Sequence, residues 1–239
     1  NEISLDQYSN EVNLFINLFP LTAVNRNLIY QFIPGQGLNS SSIVLSTNND
    51  GSLKIKLNSL VNVGSGTLRI IAADSFADAN IFKKWIDVNI SISDGSKEFP
   101  YQISSIESVQ KMIDTNFSKY YVISGVIDLS KTNWDFSTYT LTGHITGNNA
   151  ELKGISITYK NENRLGLFKE ITGSISNIKI SGSINVDYTN KTISDDMIYI
   201  GLLAGKNSGT IENFYVELNG GNVIAYNDYK LSIGGVVGL

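Results

Sequence analysis

The sequence predicts an all-β protein in two parts, a β-sandwich followed by a right-handed parallel β-helix with one capping α-helix. Glycine-containing apolar runs recur from residue 165 onward at spacings of 33 to 36 residues, which indicates a stacked repeat. The first 94 residues contain six or seven short alternating segments separated by turn residues. Between the two parts, one stretch has the apolar spacing and capping residues of a helix.

The repeat carries two marks, a glycine within an apolar run and a glycine that opens an alternating segment. The first recurs after 35 and then 33 residues, and the second recurs after 36 residues. Each unit offers about three short strands, and pairing each strand in parallel with its counterpart one turn away predicts the β-helix. Asn177 and Asn213 are equivalent, and we expect them to stack as a ladder. The marks begin at Gly166, Gly201 and Gly234, and at Gly173 and Gly209.

Residues 1–94 alternate apolar and polar side chains in short segments. Leu53, Ile55 and Leu57 alternate with lysines, so we expect that strand to have one buried and one charged face. The pattern predicts an antiparallel sandwich of the immunoglobulin type, with Trp85 in its core rather than at a ligand-stacking surface. The predicted strands cover 12–19, 27–33, 42–46, 53–57, 67–73 and 85–92.

A short polar joint at 95–100 leads into the predicted helix over 105–114. Ser104 and Glu107 have the spacing of a capping box, and four apolar residues fall on one face. We expect this helix to cover the N-terminal end of the β-helix, where strand edges would otherwise be exposed. The β-helix domain then covers 101–239. Because the sequence stops at Leu239 within a repeat mark, we expect a fragment truncated at its C-terminal end.

The second part resembles bacterial surface proteins that carry GLUG-motif repeats. The resemblance covers about residues 100–239 and rests on an ordered series of segments. Val126 replaces the first acidic residue of that pattern, and Lys169 stands where a small residue is expected. The matching segments are YQISSIESV at 101–109, YVISGVIDLS at 121–130, LTGHITGNNAELKGISI at 141–157 and IGLLAGKNSGTIEN at 200–213.

The first part resembles bacterial Ig-like domains over residues 8–92. Pro20 after the first long strand, an Asp-Gly hairpin at 49–53 and a closing strand at 85–90 follow the order of that family. Together the two resemblances imply a secreted or cell-surface protein in which an Ig-like spacer presents a β-helix as an adhesion or interaction module. Some relatives of this kind are surface metallopeptidases that cleave immunoglobulin A. If this chain belongs to one, its zinc site lies elsewhere, because one histidine cannot form it.

Composition excludes several classes of function. Eighteen basic against 22 acidic residues give a net charge of −4, which argues against a nucleic-acid partner. Cysteine is absent and His144 is the single histidine, so we expect no metal, no cofactor and no thiol chemistry. No apolar run approaches the ~20 residues of a membrane span, so we expect no membrane insertion by this sequence. The expected partner is an unidentified surface protein or glycan.

We expect no catalytic residues, and we place possible ligand contacts in the loops that interrupt the coils. Insertions on one face of a solenoid are where binding surfaces tend to lie. The candidate contact residues are Tyr188, Asp195, Asp196, Tyr226, Asp228 and Tyr229.

Two alternatives remain open. A carbohydrate-active β-helix, acting as a lyase or glycosidase, would use two carboxylates about 5–10 Å apart beside a groove. Asp195 and Asp196 lie in a loop that we interpret as solvated, Glu212 and Glu217 fall on opposite strand faces, and the sequence places no partner beside His144 as a base. A glycan-binding phage tail-fibre fragment is the other alternative. The Ig-like first part favours a cell-surface protein that is not an enzyme.

Overall fold

A computed structural model describes residues 2–17, 28–58, 62–72, 84–132, 135–158, 160–189, 197–224 and 230–239. The protein is all-β: the described residues form nineteen strands, one α-helix and one 3-10 turn. The chain divides into two compact units, Asn1–Phe99 and Pro100–Leu239. Each unit has its own hydrophobic cluster.

The first unit consists of two sheets. The strands are β1 Glu2–Leu5, β2 Glu11–Leu14, β3 Leu28–Pro34, β4 Ile43–Thr47, β5 Leu53–Leu57, β6 Gly64–Ala72 and β7 Lys84–Ile92. The strand orders are β1-β7-β6-β3 and β2-β5-β4. All neighbours pair antiparallel except β1, which runs parallel to β7. The sequence pattern did not predict β1, because four residues are too few to display an alternation.

One cluster between the buried faces of both sheets forms the core of this unit. The alternation predicted for β5 is confirmed: Leu53, Ile55 and Leu57 are buried, while Lys56 is exposed and Lys54 pairs with Glu11 at 3.0 Å. Apolar side chains at every second position bury one face and leave the other to water. The buried members of the cluster are Leu5, Ile43, Leu53, Ile55, Leu57, Leu68, Ile70, Val88, Ile90 and Ile92.

The prediction that Trp85 lies in the core is wrong, because its side chain is 54% exposed. Strand β7 buries Val88, Ile90 and Ile92, and Trp85 has the opposite parity. The guanidinium of Arg69 on β6 lies 5.1 Å from the centre of the indole ring, in a cation–π arrangement. The face of β7 on which position 85 falls, rather than the hydrophobicity of the residue, therefore decides where the indole lies.

The second unit is built from parallel strands in three sheets. The elements are β8 Tyr101–Ile103, α1 Ile106–Asp114, β9 Tyr120–Asp128, a 3-10 turn Leu129–Lys131, β10 Thr140–Leu141, β11 His144–Thr158, β12 Arg164–Leu165, β13 Phe168–Ile171, β14 Ser174–Asp187, β15 Met197–Gly201, β16 Ala204–Asn207, β17 Thr210–Glu212, β18 Tyr215–Ile224 and β19 Lys230–Gly234. Two sheets have the strand orders β10-β13-β16 and β12-β15-β19. The third and largest sheet has the order β8-β9-β11-β14, and β17 and β18 both pair with the free edge of β14.

The chain visits the three sheets in the same order three times, first through β10, β11 and β12, then through β13, β14 and β15, and finally through β16, β17 with β18, and β19. The registers align equivalent residues of successive passes, for example Ile145 with Ile175 and Ile175 with Ile211. Their apolar side chains share one cluster, into which all three sheets contribute. Burial of these aliphatic columns is the main favourable term holding the passes together.

The backbone of successive passes comes very close at the recurring glycines Gly173 and Gly209. A Cβ atom at Gly209 would fall on the carbonyl oxygen of Gly173, and one at Gly173 would fall on that of Gly143. Asn177 and Asn213 both adopt left-handed backbone conformations, with φ of 57° and 48°. The Nδ2 atom of Asn213 donates to Oδ1 of Asn177 at 3.1 Å, so the expected asparagine ladder is confirmed.

The predicted helix is present as α1, but its cap differs from the prediction. Ser105 is the N-cap residue, and it forms a reciprocal capping box with Ser108 rather than the predicted box between Ser104 and Glu107. Val109 and Met112 are buried in the cluster of the second unit. The amphipathic spacing located the helix correctly, while the choice among three neighbouring serines depended on backbone geometry.

Candidate functional site

Most of the ligand-contact residues expected from sequence lie outside the described residues. This holds for Asp195, Asp196, Tyr226, Asp228 and Tyr229. The remaining residue, Tyr188, is 1% exposed, and its backbone N–H donates to the carbonyl of Ile224 at 2.7 Å. Its side chain therefore belongs to the core of the second unit rather than to an open loop surface.

The structure instead contains a cavity of about 350 Å³ in the second unit, which we call the β11 cavity. Its wall is the second half of β11, and residues of the 3-10 turn, a following loop and the segment after β12 close its other sides. Its lining comprises Leu129, Ser130, Thr132, Asp135, Phe136, Ser137, Gly154, Ile155, Ser156, Ile157, Thr158, Lys160, Leu165, Gly166 and Leu167.

The β11 cavity exists because β9 stops before β11 does. Strand β9 pairs with β11 as far as the couple Asp128 and Lys153, whereas β11 continues its pairing with β14 to Thr158. No described strand pairs with the other edge of residues 154–158. The chain turns away at Asp128, whose Oδ1 accepts from the backbone N–H of Ser130 at 3.1 Å. This Asx turn starts the 3-10 turn and leaves the space open.

An ion pair lies among the polar residues of the β11 cavity. The Nζ atom of Lys160 is 2.7 Å from Oδ2 of Asp135, and the other carboxylate oxygen accepts from the backbone N–H and the hydroxyl of Ser137. Burial raises the pKa of the Asp135 carboxyl, but the hydrogen bonds from Lys160 and Ser137 outweigh it and hold that pKa below its usual range. The Asp135 carboxylate therefore stays charged at neutral pH and pairs with the Lys160 side chain.

The apolar part of the β11 cavity is anchored in the core. Phe136 is 5% exposed, packs edge-on against Phe117 with ring centres 5.1 Å apart, and lies parallel to Phe168 at 6.3 Å. Ile155 and Ile157 are also buried. Because these side chains are held on several sides, the apolar wall is preformed.

A second group of polar residues forms a column across the large sheet. The rings of Tyr120 and His144 stack with centres 4.3 Å apart, and Nδ1 of His144 shares a 2.7 Å hydrogen bond with Oγ of Ser174. Sequence analysis placed no partner beside His144. The structure supplies a hydroxyl and an aromatic face, both on neighbouring strands in register. Successive strands thus give the imidazole a hydrogen-bond partner at Nδ1 and an aromatic neighbour on its ring face.

The second unit also contains two clusters of ion pairs, one around Lys179 and one around Glu170. Lys179 lies between Glu151 at 3.3 Å and Glu217 at 2.8 Å, and the hydrogen bonds to these carboxylates raise the pKa of the lysine. Such alternation of charge across adjacent parallel strands is a cross-strand pairing that stabilises the sheet.

Glu170 is the hydrogen-bond acceptor at the centre of the second cluster. It receives Lys206 at 2.9 Å, Arg164 at 3.0 Å and the hydroxyl of Ser208 at 3.0 Å. The hydrogen bond from Lys206, opposed by burial and reinforced by Ser208 and Arg164, holds the pKa of the Glu170 carboxyl below its ordinary value. The Glu170 carboxylate is therefore ionised and accepts hydrogen bonds from all three donors.

Within the described ranges, no three His, Cys, Asp or Glu side chains come close enough together to hold a metal ion. Nor is any helix among those residues long and apolar enough to cross a membrane.

Sequence reasoning missed the β11 cavity, because its walls come from three separated segments. One local signal was present: Asp135 and Ser137 form an Asp-x-Ser pair, and Asp128 and Ser130 form another. Both pairs make Asx turns, with the serine N–H donating to the aspartate. No protein-family model matches this chain, and neither does any curated protein or any solved structure.

Proposed function

We propose that this chain is a non-enzymatic interaction module of a secreted or cell-surface protein, in which an Ig-like sandwich is followed by a parallel β-helix of GLUG type. The observation that carries the proposal is the threefold visit of the chain to three parallel sheets in constant order. A solenoid of this kind builds a stiff column whose outer faces are free to vary, which suits display and binding.

The β-helix interpretation is supported by the in-register stacking of the predicted marks. Gly201 aligns with Gly234, and the backbone N–H of Leu203 donates to the carbonyl of Val236 at 2.9 Å. The parallel crossover rule gives the right-handed sense. The buried residues Val109 and Met112 of α1 support the role of this helix as a cover over the first strands.

The Ig-like interpretation is supported by the two sheets of the first unit and their common core. Strands β3, β6 and β7 form one antiparallel run, and β2, β5 and β4 form the other. The buried residues alternate along β5, as they do in a two-sheet sandwich.

A binding role fits the polar groups of the second unit better than catalysis does. The carboxylates of Glu151, Glu170 and Glu217 each accept from a lysine, arginine or serine, as structural ion-pair networks do. A general acid or base needs an available proton position facing a substrate, whereas these carboxylates face the lysine, arginine and serine groups that donate to them. We therefore propose a surface protein or a glycan as the partner.

The proposal is tested with the complete 239-residue chain, labelled and applied to an array of glycans and extracellular proteins. We expect saturable binding that is lost after thermal unfolding of the same sample. Incubation with polysaccharides, monitored for new reducing ends and for unsaturated products, is the matched test of catalysis. Release of such products would contradict the non-enzymatic proposal, and failure to bind any array member would contradict the interaction role.

A further inference from the structure

We propose that the β11 cavity binds one neutral saccharide unit. The inference rests on the proposed function, because it names the place and the chemical class of a glycan partner. The cavity measures about 350 Å³, which is within the range of small-ligand sites in proteins. Such sites combine a mostly apolar lining with a few polar groups that orient the ligand.

The lining matches the two-sided chemistry of a sugar ring. Leu165, Ile155 and Phe136, each at most 5% exposed, form the apolar floor of the space, against which the C–H face of the ring would lie. Ser156 and Thr158 line the same space from the exposed face of β11. Among the described residues, neither of these two hydroxyls has a hydrogen-bond partner, so both are available to sugar hydroxyl groups.

The charges of the β11 cavity select a neutral ligand. Asp135 and Lys160 are the two charged residues in the described lining, and they pair with each other at 2.7 Å. An anionic or cationic sugar would have to break this pair or leave its own charge unpaired. A neutral sugar requires neither, and it can accept from the ammonium or donate to the carboxylate at the rim.

The cavity is also preformed, which lowers the entropy lost when a ligand binds. Phe136 is locked between Phe117 and Phe168, and the Asx turn at Asp128 fixes the 3-10 turn. A Cβ atom at Gly154 would collide with Ser130, so the glycine lets this turn pack closely onto β11.

The test is an NMR titration of the ¹⁵N-labelled complete chain with methyl glucoside, methyl galactoside, N-acetylglucosamine and glucuronate. We expect at least one neutral sugar to bind in the millimolar range, about the affinity of a single small ring, and to shift amides of residues 154–158 and 135–137. The double variant S156A/T158V should bind at least about five- to tenfold more weakly, because it removes both hydroxyl groups that would bond to the sugar. Ser183, the register partner of Ser156 on β14, provides the control, and S183A should bind like the wild type.

Several outcomes overturn the inference. These are no shift with any neutral sugar, equal binding by the S156A/T158V variant, tighter binding of glucuronate, or binding along residues 154–158 of an extended peptide instead of a sugar. The substituted residues are exposed, so the variants should fold, and a tryptophan that fills the space, S156W, should abolish binding. If S156W still binds the array, the saccharide site is wrong but the proposed function stands. If the wild type binds no member of the array, both proposals are wrong.

Discussion

Asn213 donates a hydrogen bond from Nδ2 to Oδ1 of Asn177 across 3.1 Å, although 36 residues separate the two in sequence. Both side chains extend from left-handed backbone positions at the same bend of successive passes through the large sheet. Asparagine tolerates this conformation better than other residues with a Cβ atom, because its short amide can bond locally. Asparagine therefore serves two purposes at these positions: it adopts the left-handed backbone conformation, and its side chain forms the hydrogen bond between the two passes.

Replacement of Asn213 by alanine should destabilise the second unit by about 2 kcal/mol, of which about 1 kcal/mol is the lost hydrogen bond and about 1 kcal/mol the left-handed strain. N213G removes only the hydrogen bond and should cost about half as much. Urea denaturation followed by circular dichroism measures both. The exposed Asn222 on β18 is the control, and N222A should change stability by less than about 0.5 kcal/mol. Equal losses for N213A and N213G would contradict the backbone argument.

Gly173 should not accept even one methyl group. A Cβ atom there would strike the carbonyl oxygen of Gly143, and this backbone cannot move aside cheaply because packed strands begin at His144 and Ser174. We expect G173A to lower the unfolding free energy by about 2 kcal/mol or more. Gly235 has open space around its position, with only Leu218 at an ordinary distance of 3.8 Å, so G235A should melt like the wild type. Equal melting temperatures for both variants would show that the glycine contact is not tight.

The carboxylate of Glu170 should make the stability of the second unit pH-dependent. Because its pKa is lowered in the folded state, it stabilises the fold above its ordinary pKa of 4.5, and this contribution is lost as the pH falls through the lowered value. At neutral pH, E170Q should therefore have an unfolding free energy lower than that of the wild type, by no more than about 1 kcal/mol after solvent screening. The difference should vanish in more acidic solution. E212Q, in which an exposed carboxylate is neutralised, is the matched control; a pH-independent difference for E170Q would contradict the assignment.

Trp85 and Ile90 test the two faces of β7. I90A empties a fully buried position and should cost about 2–5 kcal/mol. W85A removes a larger side chain, but it should cost only about 1 kcal/mol or less, since the indole is half exposed and loses chiefly its contact with Arg69. Urea denaturation of the complete chain compares them. A larger loss for W85A than for I90A would place the tryptophan in the core after all.

Local periodicity predicted those parts of the fold that depend on neighbouring residues. Leu53, Ile55 and Leu57 revealed the buried face of β5 because successive strand side chains point to opposite faces. The spacing between Asn177 and Asn213 likewise predicted their pairing, and the parallel register of β14 with β17 and β18 brings the two side chains together. Helix α1 was recognisable from its apolar spacing for the same local reason.

The sequence alone was enough to predict the all-β class, helix α1, the buried face of β5 and the pairing of Asn177 with Asn213. Strand pairing and packing determined that Trp85 is exposed, that Tyr188 is buried and that β1 pairs with β7. It also decided that Asp135, Ser156 and Lys160 share a cavity, since they belong to segments that meet only after the strands have paired. The alternation of apolar and polar residues shows which side chains share a strand face. Which strand pairs with each strand edge depends instead on registers set by residues distant in sequence.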